Sequence, residues 1–249
     1  MIAVYSIVGG VGKTSLVATL GRTLSSMGEK VLLTDTTSHG LLPFYFGANE
    51  LVSGVVRTFT PPRGSTDAPV HMVSYDLDRQ GSDVPSQSAL FESLLTNSQQ
   101  VNRVLLDLSG NCVWLFERLA GLKPTILVPV AADMNSIVSL HAVEKKFAAI
   151  HGADGEPLRP VYLLNQFDAS LPLHLDLHEV LRQQLGDRLL PFVVRRSGGI
   201  SEALAEGMTI VDYAPDSSVA QDFLGLANWI RASSAPAQAE LRSLRWSER

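Results

Sequence analysis

Ser6-Ile7-Val8-Gly9-Gly10-Val11-Gly12-Lys13-Thr14-Ser15 places three glycines and a Gly-Lys-Thr step between two stretches of different periodicity. Before it, Ile2-Ala3-Val4-Tyr5 is a short β-prone apolar run. After it, Leu16, Val17, Leu20 and Leu24 recur at helical spacing through about Met27. Strand, glycine-rich turn and helix in that order are the setting of a phosphate-binding loop. Glycines let consecutive backbone N–H groups turn inward and approach phosphate oxygens closely, and the helix N-terminus adds partial positive charge. Gly9, Gly10, Val11, Gly12, Lys13, Thr14 and Ser15 are therefore the expected contacts. Lys13 would reach the β- and γ-phosphates of ATP, and the Thr14 hydroxyl would complete a Mg2+ site. An incidental glycine-rich turn would explain the glycines but not a Lys-Thr pair at the helix start.

Outward from this loop, Gly28 stands where a left-handed cap residue is expected, and Val31-Leu32-Leu33 is a continuous apolar run of the kind buried on both faces. Residues 36–68 break the pattern. Pro43, Pro61 and Pro62, with Gly40, Gly47, Gly54 and Gly64, predict a loop with one short helix near residues 49–57. Further strands are predicted at 69–75, 103–108, 124–130, 160–165 and 189–194. Helices are predicted at 88–99, 113–120, 135–150, 174–185, 198–206 and 217–232. Strands alternating with helices make parallel βαβ units, so the fold class is α/β: a doubly wound, mostly parallel sheet flanked by helices. Residues 1–232 read as one domain. Residues 233–249 read as a linker and a short charged tail.

A hydrophobic fraction of 45% excludes a disordered chain, and a single cysteine, Cys112, excludes a disulfide scaffold. A net charge of −5 argues against a nucleic-acid partner, which needs a concentrated basic surface. The apolar stretch over 125–132 is far short of the ~18 residues that span a bilayer. With an apolar strand beginning beside Met1, the expectation is a cytoplasmic protein without a leader, meeting a membrane only peripherally or through partners.

The strict pattern G-x-x-x-x-G-K-[ST] fails, because Ile7 stands where its first glycine belongs. Gly9-Gly10-Val11-Gly12-Lys13-Thr14 instead resembles the deviant phosphate loop of the MinD/ParA group of P-loop ATPases. The resemblance continues through Gly28-Glu29-Lys30-Val31-Leu32-Leu33-Thr34-Asp35, similar to the strand entering the first switch. Val104-Leu105-Leu106-Asp107-Leu108-Ser109-Gly110 is similar to the Walker B strand and second switch. It implies that Asp35 and Asp107 stand near Mg2+. It also implies that Asn165, in Leu163-Leu164-Asn165-Gln166, meets adenine, and that Pro191, Phe192 and Val193 belong to the nucleotide site. Within the group, Leu189-Leu190-Pro191, Ser201-Glu202-Ala203-Leu204-Ala205 and Leu224-Gly225-Leu226-Ala227-Asn228-Trp229 resemble the BcsQ/YhjQ proteins of cellulose-synthase operons. That resemblance implies an ATP-binding homodimer. It would serve the cellulose synthase complex and its small cytoplasmic accessory subunits at the inner membrane.

Two positions depart from the MinD/ParA pattern. The lysine that crosses the dimer to the partner's nucleotide is Val8 here, which neither donates hydrogen bonds nor carries charge. Another cation, such as Arg103 or a partner's arginine, could substitute. The second aspartate of Asp-x-Asp, which orients the attacking water, is Thr37, a poor base at neutral pH. The expected catalytic group is thus Lys13, Asp35, Thr37 and Asp107, with slow turnover and ATP acting as a dimer-stabilising ligand. A cycling ATPase that positions chromosomes, flagella or division sites is the alternative, as is a small-molecule P-loop enzyme. Other features are weaker. One cysteine cannot supply its half of a shared four-cysteine cluster, and His174 and His178 read as surface histidines rather than metal ligands. Arg195 and Arg196 could serve nucleotide or partner. The tail carries only three large apolar residues, Leu241, Leu244 and Trp246, too few to anchor stably.

Overall fold

Eight strands, β1 (Ile2–Val4), β2 (Val31–Asp35), β3 (Arg57–Phe59), β4 (Val70–Ser74), β5 (Arg103–Asp107), β6 (Thr125–Ala131), β7 (Val161–Phe167) and β8 (Leu189–Arg195), pair into one sheet. Their order is β3-β4-β2-β5-β1-β6-β7-β8. The computed structural model describes residues 1–37, 40–75, 84–110 and 112–233. The linker and tail expected beyond Ser233 lie outside the described residues. All strand pairs are parallel except β3 with β4. The helices are α1 (Lys13–Ser26), α2 (Val84–Ser98), α3 (Val113–Leu119), α4 (Met134–Ala148), α5 (Pro172–Leu185), α6 (Gly199–Ala205), α7 (Ile210–Tyr213) and α8 (Ser218–Ser233).

Strand alternation divides the interior into two cores. Ala3, Tyr5 and Leu32 face the side covered by α3, α4 and α5, where Tyr5, Phe116 and Phe147 pack edge to face. Ile2, Val4, Val31 and Leu33 face the opposite side, under α1 and α8. Coverage of both faces is why the strands read as unbroken apolar runs. β1 lies between β5 and β6: its own connection runs to β2 on one side, and the chain later crosses from β5 over β1 to β6 on the other, so the strand order reverses here. In such sheets the crevice at the carboxyl ends of the strands beside this reversal is where ligands bind.

Within 36–68 the expected helix near 49–57 is absent. A 3-10 turn, Leu42–Phe46, occurs earlier, with Pro43 fixing its start and Gly47 at φ 65° ending it. β3 then forms the antiparallel sheet edge. Arg22 of α1 holds this segment by ion pairs to Asp67 and to Asp212 of α7, both 2.8 Å. Helix α7, four residues long, has no periodic signal of its own. The last strand runs through Pro191, as the predicted strand over 189–194 requires. The register slips between the pairs Tyr162↔Leu189 and Leu164↔Val193, and Pro191, which has no N–H for a ladder, lies within that slip.

Candidate nucleotide site

The loop between β1 and α1 is held in shape by side chains from β7. Asn165 Nδ2 donates to the Val11 carbonyl and Gln166 Nε2 to that of Gly10, both at 2.8 Å. Gln166 adopts φ 56°, a left-handed conformation rare outside glycine, which turns its amide toward the loop. Gly10 and Gly12 are also left-handed, at φ 76° and 84°. The backbone conformation favours glycine at Gly12, and a Cβ there would lie 2.6 Å from Asn165 Nδ2, so it would push that amide off the Val11 carbonyl. Among the described residues no side chain caps α1, and uncapped N–H groups of a first helical turn are ready phosphate donors. Lys13 Nζ donates to the Val8 carbonyl at 3.4 Å, and burial lowers its pKa while the charge of Asp107 opposes that shift.

The acidic flank comes from β2 and β5. Their parallel pairing sets Asp35 beside Asp107, both fully buried. Neither carboxylate oxygen of Asp107 has a hydrogen-bond partner among the described residues. Burial and the charge of Asp35 raise its pKa well above the carboxylate range, partly offset by the facing Thr14 hydroxyl and Lys13. Around this pair the two switch segments are tied together. The Thr36 hydroxyl donates to the Asp107 carbonyl at 2.9 Å and accepts from the Ser109 N–H at 3.3 Å. The buried Cys112 thiol lies 3.2 Å from Ser109 Oγ and 3.5 Å from Thr36 Oγ1. Thr37 donates to Asp35 Oδ1 from both its N–H and its hydroxyl, at 2.8 and 2.7 Å.

A divalent cation suits this flank. The orphaned Asp107 carboxylate, the adjacent Asp35 and the Thr14 hydroxyl are hard oxygen donors. No cluster of three or more His, Cys, Asp or Glu occurs among the described residues. A few protein oxygens with the remaining positions left to water and phosphate is the usual Mg2+ arrangement.

The structure thus brings Gly9 to Ser15, Asp35, Thr37, Asp107 and Asn165 to one place. Pro191, Phe192 and Val193 lie in β8 at the sheet edge, where Val193 pairs with Leu164, the residue before Asn165; Pro191 is exposed, and Phe192 and Val193 pack against opposite cores. Arg103 is no substitute for the missing lysine. It begins β5, at the sheet end away from the loop, and is ion-paired to Glu29 at 2.7 Å. Arg195, itself exposed, is bound to Asp222 and the Ser218 carbonyl, and the adjacent Arg196 is exposed as well. His174 accepts from the Asp168 N–H, and both it and His178 pack on Phe167. Sequence reasoning missed two contributors. Gln166 adjoins the expected asparagine. Tyr45, in the 3-10 turn, places its hydroxyl 2.7 Å from Ser15 Oγ; its only signal was an aromatic run after Pro43.

With loop, paired carboxylates and clamping amides in place, the relatives can be compared. A profile of the family described as cellulose biosynthesis protein BcsQ matches residues 1–230. The chain belongs to the BcsQ family. It is 29% identical to the cellulose biosynthesis protein BcsQ of Salmonella typhimurium, over 95% of this chain and 96% of that protein. It is 26% identical to the chromosome-partitioning ATPase Soj of Thermus thermophilus, over 90% and 92%. Among solved structures, the septum site-determining protein MinD of Pyrococcus horikoshii, complexed with Mg-ADP, superposes with a TM-score of 0.63. That match has 20% identity and covers 92% of this chain and 95% of that one. The fold is therefore that of the MinD/ParA-type P-loop proteins. No helix among the described residues is long and apolar enough to cross a membrane.

Proposed function

We propose that this BcsQ-family chain binds ATP with Mg2+ and dimerises around the bound nucleotide. It serves cellulose synthesis and secretion as a nucleotide-gated scaffold that hydrolyses ATP slowly or not at all. Its partners are a second copy of itself and the cellulose synthase complex with its small accessory subunits. It acts from the cytoplasm, recruited to the inner membrane face through those partners. When bound, the cation draws charge from the phosphates and neutralises the Asp35/Asp107 pair. The chain's own groups do the rest: loop amides and Lys13 hold phosphate oxygens, Thr14 and Asp107 face the cation, and Asn165 and Gln166 keep the loop preformed.

The observation that carries the slow-turnover reading is the Thr37 hydroxyl. At the position where an attacking water would need a base, the side chain is a hydroxyl already donating to Asp35. Val8 adds no charge across a dimer, and Ile7 and Val8 give the loop an apolar rim that suits a packed partner. The test is Lys13→Ala. Titration calorimetry should show ATP affinity reduced roughly tenfold to a hundredfold, the loss expected for a charge-assisted hydrogen bond. Light scattering should show ATP-dependent dimerisation abolished. Unchanged affinity would refute the nucleotide assignment.

A further inference from the structure

We infer that Tyr45 is a positioning residue of the nucleotide site: its hydroxyl, 2.7 Å from Ser15 Oγ, orients the Ser15 hydroxyl toward the phosphate chain and couples residues 41–48 to the loaded state of the loop. The inference rests on the reading that the loop takes a nucleoside di- or triphosphate. Its geometry is independent of the switch residues. Tyr45 is only 5% exposed and sits in the 3-10 turn Leu42–Phe46, thirty residues from its partner in the chain. Its phenol lies close enough to Asp107 for that charge to raise its pKa, in addition to the larger effect of burial. The phenol therefore stays protonated at neutral pH, with a proton to share with Ser15 or a phosphate oxygen.

The turn cannot shift without moving this hydroxyl. Leu42 and Tyr45 are both inserted into the core beneath α1. Behind the turn, Gly47 meets Gly207 so closely that a Cβ on Gly207 would lie 3.1 Å from Gly47 Cα. Leu41, which caps the turn, and Phe44 within it face outward, 43% and 38% exposed. One rigid turn thus has its inner side on the loop and its outer side on the surface. A ligand that reorganises Ser15 alters both.

The test compares the full-length native protein with Tyr45→Phe, Ser15→Ala and the double variant. Tyr45→Phe keeps the ring packing and removes only the hydroxyl. Calorimetry with Mg·ATP and Mg·ADP should show each single variant binding roughly fivefold to tenfold more weakly, the loss of about one hydrogen bond. The double variant should lose no more than either single one, since the two hydroxyls act as a unit. Hydrogen exchange over 41–48 should slow on Mg·ADP binding in the native protein and not in Tyr45→Phe, a change that a merely structural role would not produce. Native affinity in Tyr45→Phe, or losses that multiply in the double variant, would overturn the inference. Lys13→Ala separates the two failures. If it weakens binding tenfold or more while Tyr45→Phe is neutral, only the role of Tyr45 is lost; if it too binds normally, the nucleotide reading itself fails.

Discussion

On the β7 side of the phosphate loop, Asn165 and Gln166 donate to the Val11 and Gly10 carbonyls, so the loop is braced before any ligand arrives. On the β2–β5 side two buried carboxylates lie in register, and Asp107 has no hydrogen-bond partner for either oxygen among the described residues. The first flank stabilises the empty protein. The second opposes folding until a cation neutralises it, because buried like charges raise the free energy of the ionised pair. A ligand that fits between them gains from both: rigid donors on one side, relief of repulsion on the other. Substitutions on the two flanks should therefore change stability in opposite directions while all weakening binding.

The largest effect is expected on the braced side. Gly12→Ala must hold φ near 84° and pushes a Cβ to 2.6 Å from Asn165 Nδ2. The conformation alone costs about 1–2 kcal/mol, so the melting temperature should fall by roughly 2–8 °C, with ATP binding lost. Calorimetric unfolding checks the first and titration the second. Asn165→Ala leaves the buried Val11 carbonyl unpaired, at about 1–3 kcal/mol. It should lower both the denaturation midpoint and ATP affinity.

The acidic side should behave in the opposite sense. Asp107→Asn removes one charge of the pair, so the ligand-free protein should gain stability on the order of 1–2 kcal/mol at pH 8, while Mg2+-dependent ATP binding is lost. The pH dependence follows from the raised pKa of Asp107. At low pH its carboxyl is protonated both folded and unfolded. Above the ordinary carboxylate range only the unfolded chain ionises, so its contribution to stability declines as pH rises, levelling off past about 7. Urea titrations from pH 4 to 8 should show this decline in the native protein and lose its Asp107 component in Asp107→Asn. Because the cation competes with that proton, Mg·ATP affinity should rise with pH over the same range. The smallest effect is predicted for Gln166→Gly. Losing the bond to Gly10 costs about 0.5–1.5 kcal/mol, and relief of the left-handed backbone returns about 1 kcal/mol. A change well beyond 1 kcal/mol in chemical denaturation would show that Gln166 braces more than Gly10.

The acidic flank and the loop were legible in the sequence because each is a local pattern: glycines before Lys-Thr, and an aspartate closing an apolar strand. The bracing flank was half legible. Asn165 was visible at the end of its strand, but its hold on Val11 depends on β6 bringing β7 to the loop, a relation between distant segments. Tyr45 and the 3-10 turn were hidden for the same reason, since Pro43 and Gly47 punctuate a region with no period. The strand over 189–194 was legible from its apolar residues, whereas the register slip around Pro191 depends on the pairing with β7 and left no local signal. Arg103 looked available as a cation until its strand direction placed it at the opposite sheet end, beside Glu29.

Whether this site holds ATP without promptly cleaving it is read from single-turnover phosphate release by the ATP-loaded native protein. Thr37→Asp and Thr37→Asp with Val8→Lys provide the comparison. The native protein should retain intact ATP while the substituted ones release phosphate faster, the double variant fastest. The gain should fall below the ~10²–10⁴-fold of a positioned general base, because a third carboxylate joins Asp35 and Asp107 without a shell built to hold it. Release by the native protein at or above ~1 s⁻¹, the ordinary range for enzymes, would contradict the account and point to a cycling ATPase.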